Sequence, residues 1–258
     1  MRIHSLSGRI EHRISVNYKV DPRLLHRFLP APFRPRTIDG SGIAGFCLIR
    51  QRHQRIKGLP RQLGLSSDLV IYRIAVEWEA GGRTHSGLYV PRRYSSSRIH
   101  ALAGGGQIYP GSYRLARVRF RDKGDTFNLH MHSRERSKQR VVLRAQLSRT
   151  FPFESVMGDL ETALRFARAG QVGYSPRHGR TLFEGLALQQ QGWPAEPLRV
   201  TYVQSTFFED PKRFPPGSIF FDHALLVREV QHEWCSLPDL IAPRPIRLHD
   251  MGRPGSAW

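Results

Sequence analysis

Apolar and polar residues alternate along much of this chain, which is typical of β-strands with one buried face. The pattern is clear over residues 9–18, where Ile10, Ile14 and Val16 fall on one face. Alternation or short apolar runs predict further strands over residues 43–49, 69–78, 84–90, 113–121, 126–133, 140–148, 180–190, 198–208 and 223–234. Residues 51–67 are polar and predict a loop. The chain is therefore expected to be rich in antiparallel strands.

Three short helices are predicted between these strands. Asp21 followed by Pro22 is typical of an N-cap and a first helical residue, and this helix is expected to end before Pro30. A second helix is predicted over residues 95–103. A third is predicted over residues 154–169, where apolar residues recur at every third or fourth position.

One domain accounts for the length and the patterning of the chain. A chain of 258 residues with 40% hydrophobic residues buries roughly three quarters of its unfolded surface and needs no disulfide or metal to fold. No internal repeat or long linker divides residues 1–242, so they are expected to form a single domain. Residues 243–258 are rich in Pro and Gly and are expected to form a disordered tail.

Cysteine content and hydropathy favour a cytoplasmic location. Cys47 and Cys235 are the only cysteines, fewer than a disulfide-rich secreted protein contains. No apolar run reaches the roughly 18 residues of a membrane-spanning helix. Residues 1–6 lack the apolar core of a signal peptide. We therefore expect a cytoplasmic protein without a membrane segment, for which a homo-oligomer stays open.

The chain is strongly basic, and its basic residues are mostly arginine. Lys and Arg number 40 against 21 Asp and Glu, a formal net charge of +19, and only five of the 40 are lysines. The excess lies in residues 1–180, where the arginines are dispersed through strand patterns. Three interpretations follow: an arginine-rich surface without a partner, steering of a small anion, or binding of nucleic acid. Since the sequence contains no zinc finger, helix-turn-helix or basic zipper, the first is favoured.

Three motifs that could carry chemistry are incomplete. His130 and His132 share one face of a predicted strand, as metal ligands can, but no third ligand stands at a readable spacing, so a solvated face is favoured. The three glycines at 104–106 lack the rest of a phosphate-binding loop and are expected to end a helix. Ser112 follows Pro-Gly and does not stand in the Gly-x-Ser-x-Gly pattern of a nucleophile elbow.

Two further places could contact a ligand. Asp222 and His223 are adjacent, and neighbouring strand residues point to opposite faces, so a cap or one pocket-facing side chain is favoured over a catalytic pair. Arg92 follows the predicted strand that ends at Val90, and its guanidinium could hold a carboxylate, although a surface corner is the favoured interpretation.

Several segments, taken in order, resemble the acetoacetate decarboxylase-like proteins. Residues 16–33 are similar to the opening of those proteins, in which a strand precedes an Asp-initiated helix and a Pro-x-Pro turn. Residues 89–116 are similar to the next landmark, in which a strand, a short helix and a Gly-rich turn follow one another. Residues 221–224 read Phe-Asp-His-Ala, which resembles a segment in the last third of the decarboxylases.

The layout is more similar still to the YqjF-like family, domain of unknown function 2071. The shared features are Asp-Pro and Leu-Pro within residues 21–30, the Gly-Arg segment at 82–87, Leu-x-x-Gly at 182–185 and Trp-Pro at 193–194. The resemblance implies a mainly β (α+β) fold. It would be an acetoacetate decarboxylase-like closed antiparallel β-cone or barrel, with a few flanking helices, around a small polar pocket.

The same resemblance implies a chemical departure from the decarboxylases. Those enzymes form a Schiff base between a keto acid and a lysine whose pKa is lowered by a neighbouring lysine. Gly111 and Ser112 stand where these two lysines would be, and no other lysine is near. The position of the family's pocket arginine matches Glu11, with Arg13 close by, and one carboxylate position matches Cys47. Decarboxylation through a Schiff base is therefore not expected.

Together these features predict a protein that holds a small anionic or carboxylate-bearing molecule in the cone pocket. The residues expected to bind it are Arg13, Cys47, Arg92, Tyr109 and Arg114, and the candidates for general acid–base chemistry are Glu11, Ser112 and Asp222. An enzyme of this kind would be of lyase or hydrolase type. No cofactor and no metal are expected. The alternative is a module that binds nucleic acid or another anionic polymer through the basic surface of residues 1–180.

Overall fold

The computed structural model describes residues 5–103, 112–136, 138–177, 181–190, 192 and 194–242. The predicted tail at 243–258, the three glycines at 104–106 and Tyr109 lie outside the described residues. Strands dominate the described part, which confirms the mainly β fold expected from the alternating pattern.

Thirteen strands, three α-helices and one 3₁₀ turn make up the described elements. The strands are β1 (Ser5–Val20), β2 (Arg34–Pro35), β3 (Thr37–Ile38), β4 (Ser41–Ile56), β5 (Leu65–Ala80), β6 (Arg83–Ser95), β7 (Arg114–Asp122), β8 (Thr126–Ser133), β9 (Arg140–Leu147), β10 (Val172–Pro176), β11 (Leu182–Gln190), β12 (Ala195–Ser205) and β13 (Ile219–Ile241). The helices are α1 (Pro22–Phe28), α2 (Arg98–Ala103) and α3 (Leu160–Ala169), and the 3₁₀ turn is Arg61–Leu63.

All thirteen strands belong to one sheet that closes on itself. Its order is β11-β10-β6-β7-β8-β9-β12-β13-β1-β4-β5-β2, and additional pairings join β11 to β13 and β5 to β6. Most neighbours are antiparallel, whereas β6 pairs in parallel with β7 and β10 over two residues each. The ring is compatible with the predicted cone.

The central strands of this ring bury both of their faces. On β1, Ile14 and Val16 pack into the main hydrophobic core together with residues of β4, β5, β8 and β9. The alternate residues Arg13, Ser15 and Asn17 line the opposite face, where α3 lies against the sheet. A polar side chain on that face is therefore enclosed by protein although it belongs to a strand.

The loop predicted over residues 51–67 is shorter than expected. β4 continues to Ile56 and β5 begins at Leu65, so the connection consists of residues 57–64 and includes the 3₁₀ turn, while the polar residues on either side of it are strand. Gln51 is buried and donates to Ser67 Oγ at 3.1 Å, and it also bonds Gln54. Polar strand residues can be buried when they satisfy one another, and a hydropathy pattern does not reveal such pairs.

Two of the three helices, α2 and α3, begin later than their sequence patterns indicate. α1 starts as expected, since Asp21 accepts from the Arg23 amide at 2.8 Å. α3 starts only at Leu160, because Gly158 has a φ of +74° and Asp159 caps the helix by accepting from the Thr162 amide at 2.7 Å. In the part of the chain that the structure describes, no helix is both long and apolar enough to cross a membrane.

A β-bulge in β13 sets the geometry of one side of the enclosed face. Asn17 pairs with His223 and Tyr18 pairs with Phe221, so Asp222 is an extra residue without a partner on β1. Asp222 and His223 consequently do not point to opposite faces as expected, and His223 Nδ1 lies 2.5 Å from Asp222 Oδ2. The carboxylate also accepts from Ser155 Oγ at 2.6 Å and from the Val156 amide at 3.0 Å. The bulge thus joins β13 to the segment that precedes α3.

We expect Asp222→Asn to lower the free energy of unfolding by about 1–3 kcal/mol at pH 7, because it leaves buried donors without their charged acceptor. Burial alone would raise the pKa of Asp222, but hydrogen bonds from His223, Ser155 and Val156 bring it below its usual value. A carboxylate with a lowered folded pKa stabilises the fold above its unfolded pKa, and this contribution is lost as the pH falls through the folded pKa. The difference between wild type and variant should therefore shrink below about pH 4 in urea unfolding curves.

Asp39→Asn is the matched control, because Asp39 is exposed in a turn and has no described side-chain hydrogen bond. This variant should follow the wild-type stability at each pH. A loss for Asp222→Asn that is equal at pH 7 and pH 3 would contradict the assigned role of the carboxylate.

Candidate functional site

A cavity lies between the enclosed face of the sheet and α3. It has two adjoining compartments, with volumes of about 30 Å³ and 50 Å³, which share Arg13, Arg73, Leu88 and Gly170 in their walls. One enclosed water needs about 10–15 Å³ on this measure, so the two compartments together hold about five to eight water-sized atoms. A ligand of this size is a small organic molecule.

Four arginines line the cavity: Arg13 of β1, Arg36 between β2 and β3, Arg73 of β5 and Arg93 of β6. Arg13 and Arg93 expose only 8% and 4% of their surface. Arginine side chains are rarely buried this completely. The cavity wall is therefore unusual in enclosing several guanidinium groups.

Arg73 has no carboxylate partner among the described residues. Its Nη2 donates to the Asn17 Oδ1 amide oxygen at 2.6 Å, and its buried Nε has no hydrogen-bond partner. Burial is the main cause that lowers the pKa of Arg73 to about 10, Cys47 opposes this shift, and the charge of Arg13 adds to it. An anion in the cavity would reverse the penalty that burial imposes on this group.

A chain of hydrogen bonds holds Arg73 in place. Asn17 Nδ2 lies 2.9 Å from His223 Nε2, and His223 Nδ1 lies 2.5 Å from Asp222. Since the Asn17 amide oxygen already accepts from Arg73, its amide nitrogen donates to His223, and the imidazole in turn donates from Nδ1 to Asp222. Ser155 completes the chain by donating to the same carboxylate. The orientation of Arg73 thus depends on a chain of four hydrogen bonds that ends at Ser155.

The rest of the cavity wall is largely apolar. The apolar residues are Ile49, Ile71, Ala75, Leu88, Val90, Met157, Ala163, Leu164, Ala167, Leu186, Leu188, Leu225, Val227 and Trp234. Helix α3 supplies its buried side to this wall, and Arg36 fixes it by stacking on Phe166 at 4.1 Å and donating to the Phe166 carbonyl at 3.4 Å. The cavity therefore offers both cationic and apolar contacts.

Two further polar groups reach the cavity near the arginines. The buried Cys47 Sγ lies 3.5 Å from Ser15 Oγ on the neighbouring strand. Tyr113 lies beside Arg93, whose Cζ is 5.9 Å from the ring centre. Burial raises the pKa of Tyr113, and the charge of Arg93 opposes that shift. Tyr113 therefore stays a neutral hydroxyl in this wall.

The structure brings some of the predicted site residues together and separates others. Arg13 and Cys47 line the cavity, and Asp222 adjoins it through His223. Tyr109 lies outside the described residues.

Four predicted residues lie away from the cavity, so these placements correct the sequence interpretation. Glu11 bonds Arg52 at 2.8 Å, in a charged cluster on the strand surface. Ser112 is exposed. Arg114 is half-exposed and bonds Glu135 at 2.7 Å. Arg92 turns toward the aromatic core, where its Cζ is 5.9 Å from the ring centre of Phe207.

A second irregularity explains why Arg93 lines the cavity and Arg92 does not. Tyr72 pairs with Arg92 and Ile74 pairs with Tyr89, so β6 contains one extra residue next to Pro91. An extra residue reverses the alternation of the faces beyond it. Proline is common at such bulges, but a proline alone does not show on which side of it the alternation changes.

The sequence did not identify Arg73, Asn17 or the contact of His223 with the cavity, and at the Arg92-Arg93 pair it favoured Arg92 over Arg93. Arg73 carried a usable signal, because it is the one charged residue within the apolar stretch 69–76 of a predicted strand. A charge in a strand that is buried on both faces must face an enclosed polar site. Asn17 carried no comparable signal, since a polar residue is ordinary in an alternating strand.

The described wall of this cavity contains neither a lysine nor a group of metal-binding side chains. All five lysines lie in the described residues, and none lines it. Within the described ranges, no group of three or more His, Cys, Asp and Glu side chains is placed to hold a metal ion. His130 and His132 lie on a different, outward face of the sheet.

A protein-family model and several solved structures are similar to this chain. Residues 8–221 match the DUF2071 family, described as "Uncharacterized conserved protein (COG2071)". No curated protein sequence matches the chain.

Three solved structures illustrate the shared fold. An acetoacetate decarboxylase-like enzyme from Sphingomonas wittichii RW1 has 11% identity and a TM-score of 0.56, over 92% of this chain and 94% of that chain. Acetoacetate decarboxylase from Legionella pneumophila subsp. pneumophila str. Philadelphia 1 has 10% identity and a TM-score of 0.58, over 93% and 90%. The enduracididine biosynthesis enzyme MppR, complexed with pyruvate, has 11% identity and a TM-score of 0.55, over 93% and 91%. At these identities the likeness concerns the fold alone. Because the family match covers most of the chain, the protein belongs to the DUF2071 family, and its fold is that of the acetoacetate decarboxylase-like proteins.

Proposed function

We propose that this protein binds a small organic carboxylate in the arginine-lined cavity. The observation that carries the proposal is Arg73, a guanidinium enclosed in the cavity with an amide partner and no described carboxylate partner. A ligand carboxylate beside Arg73 would form charge-assisted hydrogen bonds of the kind that arginine makes with particular strength. Arg13 and Arg93 share the same walls and add positive potential.

The size and composition of the cavity narrow the ligand class. Space for about five to eight water-sized atoms suits a carboxylic acid of three to five carbons. The many apolar residues of the wall favour a short hydrocarbon or carbonyl-bearing tail over a second charged group. Pyruvate in MppR and the acetoacetate in the name of the decarboxylases belong to this chemical class.

Within this proposal, His223 and Asp222 are positioning residues. Both ring nitrogens of His223 bond protein groups, Nε2 to Asn17 and Nδ1 to Asp222, so the imidazole holds Asn17 and, through it, Arg73. A Schiff base is not part of the proposal, because no lysine reaches the cavity wall.

The first test compares Arg73→Gln with Arg114→Gln in thermal-shift and calorimetric titrations of acetate, pyruvate and acetoacetate. Glutamine removes the charge, so loss of a charge-assisted hydrogen bond worth about 1.5–3 kcal/mol should weaken binding about 10- to 150-fold. The unliganded variant should be at least as stable as wild type, since a buried unpaired charge is removed.

Arg114→Gln is the matched control, because Arg114 lies outside the cavity and should keep wild-type affinity. Pyruvamide, which has the shape of pyruvate without its charge, should not stabilise any of the three proteins. Equal weakening by both substitutions, or stabilisation by pyruvamide as strong as by pyruvate, would refute carboxylate binding at Arg73.

A separate test concerns the covalent chemistry of the related fold. We expect treatment with acetoacetate or pyruvate and sodium cyanoborohydride to leave the intact mass unchanged, because no cavity lysine can form the imine that this reagent reduces. The measurement is intact-protein mass spectrometry, with a Schiff-base decarboxylase as positive control. A stoichiometric adduct that maps to a lysine of this chain would overturn the non-covalent proposal.

A further inference from the structure

The outward face of the sheet at β7, β8 and β9 carries a second concentration of cations, here called the basic face. Its residues are Arg117, Arg119 and Arg121 of β7, Lys123 in the turn that follows, Asn128, His130 and His132 of β8, and Arg144 of β9. They line an open depression of about 570 Å³, far larger than the cavity under α3. A small carboxylate would leave most of this surface unoccupied.

The cations of the basic face lack the partners that arginines have elsewhere on this surface. Arg9, Arg52 and Arg228 each bond a carboxylate at 2.8–3.0 Å. Of the eight residues that line the basic face, five are Lys or Arg and none is acidic, and none of the five forms a described ion pair. A patch of this kind concentrates anions.

His130 lies at the centre of this concentration of positive charge. Its imidazole lies among Arg119 of β7, Arg140 and Arg144 of β9 and His132 of its own strand. Burial is the main cause that lowers the pKa of His130, and the charges of these four neighbours lower it further. The positive field at the centre of the face therefore exceeds what one arginine would produce.

The spacing of the cations suits a repeating anion. Alternate residues of a strand are about 6.6 Å apart, so the row from Arg117 to Lys123 places four positive charges along about 20 Å. Cross-strand pairing sets His130 beside Arg119 and Asn128 beside Arg121. Phosphates along one nucleic acid strand could follow the row while their bases extend over β8 and β9.

Aromatic side chains lie on the part of the basic face that such bases would contact. Tyr202 of β12 is 46% exposed, and it pairs with Arg144, whose Cζ is 5.7 Å from the ring centre. The imidazoles of His130 and His132 lie on the same sheet face. Aromatic and guanidinium planes on an open four-stranded sheet are a common platform for unpaired bases, and rings would contribute nothing to the phosphates of a duplex.

We propose that the basic face binds single-stranded nucleic acid, with phosphates along the row from Arg117 to Lys123 and bases stacked over His130 and Tyr202. The contact is independent of the carboxylate cavity, with which the basic face shares no lining residue. The proposal therefore stands or falls separately from ligand binding at Arg73.

Fluorescence anisotropy with labelled twelve-nucleotide oligo(dT) and oligo(U) tests the proposal on the full chain. Four phosphate contacts predict a slope of about −2.8 for log affinity against log salt, so affinity should fall about fiftyfold between 50 and 200 mM NaCl. A difference between oligo(dT) and oligo(U) would distinguish DNA from RNA as the preferred source. Absence of binding at 50 mM NaCl, or tighter binding of a duplex of the same length, would overturn the proposal.

Matched charge reversals locate the contact. Arg119→Glu/Arg121→Glu and the control Arg23→Glu/Arg83→Glu change net charge equally, and all four arginines are exposed. The first pair should lower affinity at least tenfold more than the control and flatten the salt slope by about 1.4. Tyr202→Ala should weaken binding about tenfold at all salt concentrations. Equal losses in the two charge reversals, no effect of Tyr202→Ala, or binding to anionic lipid vesicles without binding to oligonucleotides would each refute the assignment.

Discussion

The cavity is organised by one constraint: the guanidinium of Arg73 is removed from water without a described carboxylate beside it. A chain of hydrogen-bonded residues meets part of this demand. Asn17 accepts one of its hydrogen bonds, His223 holds Asn17, and Asp222 holds His223 through the bulge in β13. A buried charge that is only partly compensated is expensive for a fold, and such groups are retained mostly where a ligand completes them.

The two cationic regions of this protein differ in how strongly solvent screens their charges. Inside, few charges act at low dielectric, so position matters more than number and one oxygen pair of a ligand is enough. On the basic face, water and salt screen each charge, so only a row of cations and a repeating partner gain appreciable free energy. The excess of arginine over lysine serves both, because a planar guanidinium forms two parallel bonds to an oxyanion and also stacks on rings.

The regular parts of the fold could be predicted from sequence, whereas its irregularities could not. Alternation identified β1, β5, β8 and β9, and Asp21 identified the start of α1. The bulges at Asp222 and beside Pro91 had no comparable signal, yet they decide that His223 and Arg93 reach the cavity. Arg13 and Cys47, which the resemblance led us to expect near the pocket, stand in regular strands and line the cavity, whereas Glu11, beside which the pairing of β1 with β4 shifts register, lies outside it. The sequence predicts which residues lie in a strand. It does not predict a bulge that changes the face to which the following side chains point, because that bulge depends on the pairing with the partner strand.

The pairing of β1 with β13 has a consequence for how the chain acquires its structure. These strands stand near opposite ends of the described chain and pair along almost the whole length of β1. Contacts between such distant segments close the largest possible loop, so they form late and slowly. On the ribosome, Arg13 and Arg73 therefore remain hydrated while more than a hundred residues are still being added, and they lose their water only when the last strand docks. A small anion present at that moment would favour the final step of folding as well as the finished state.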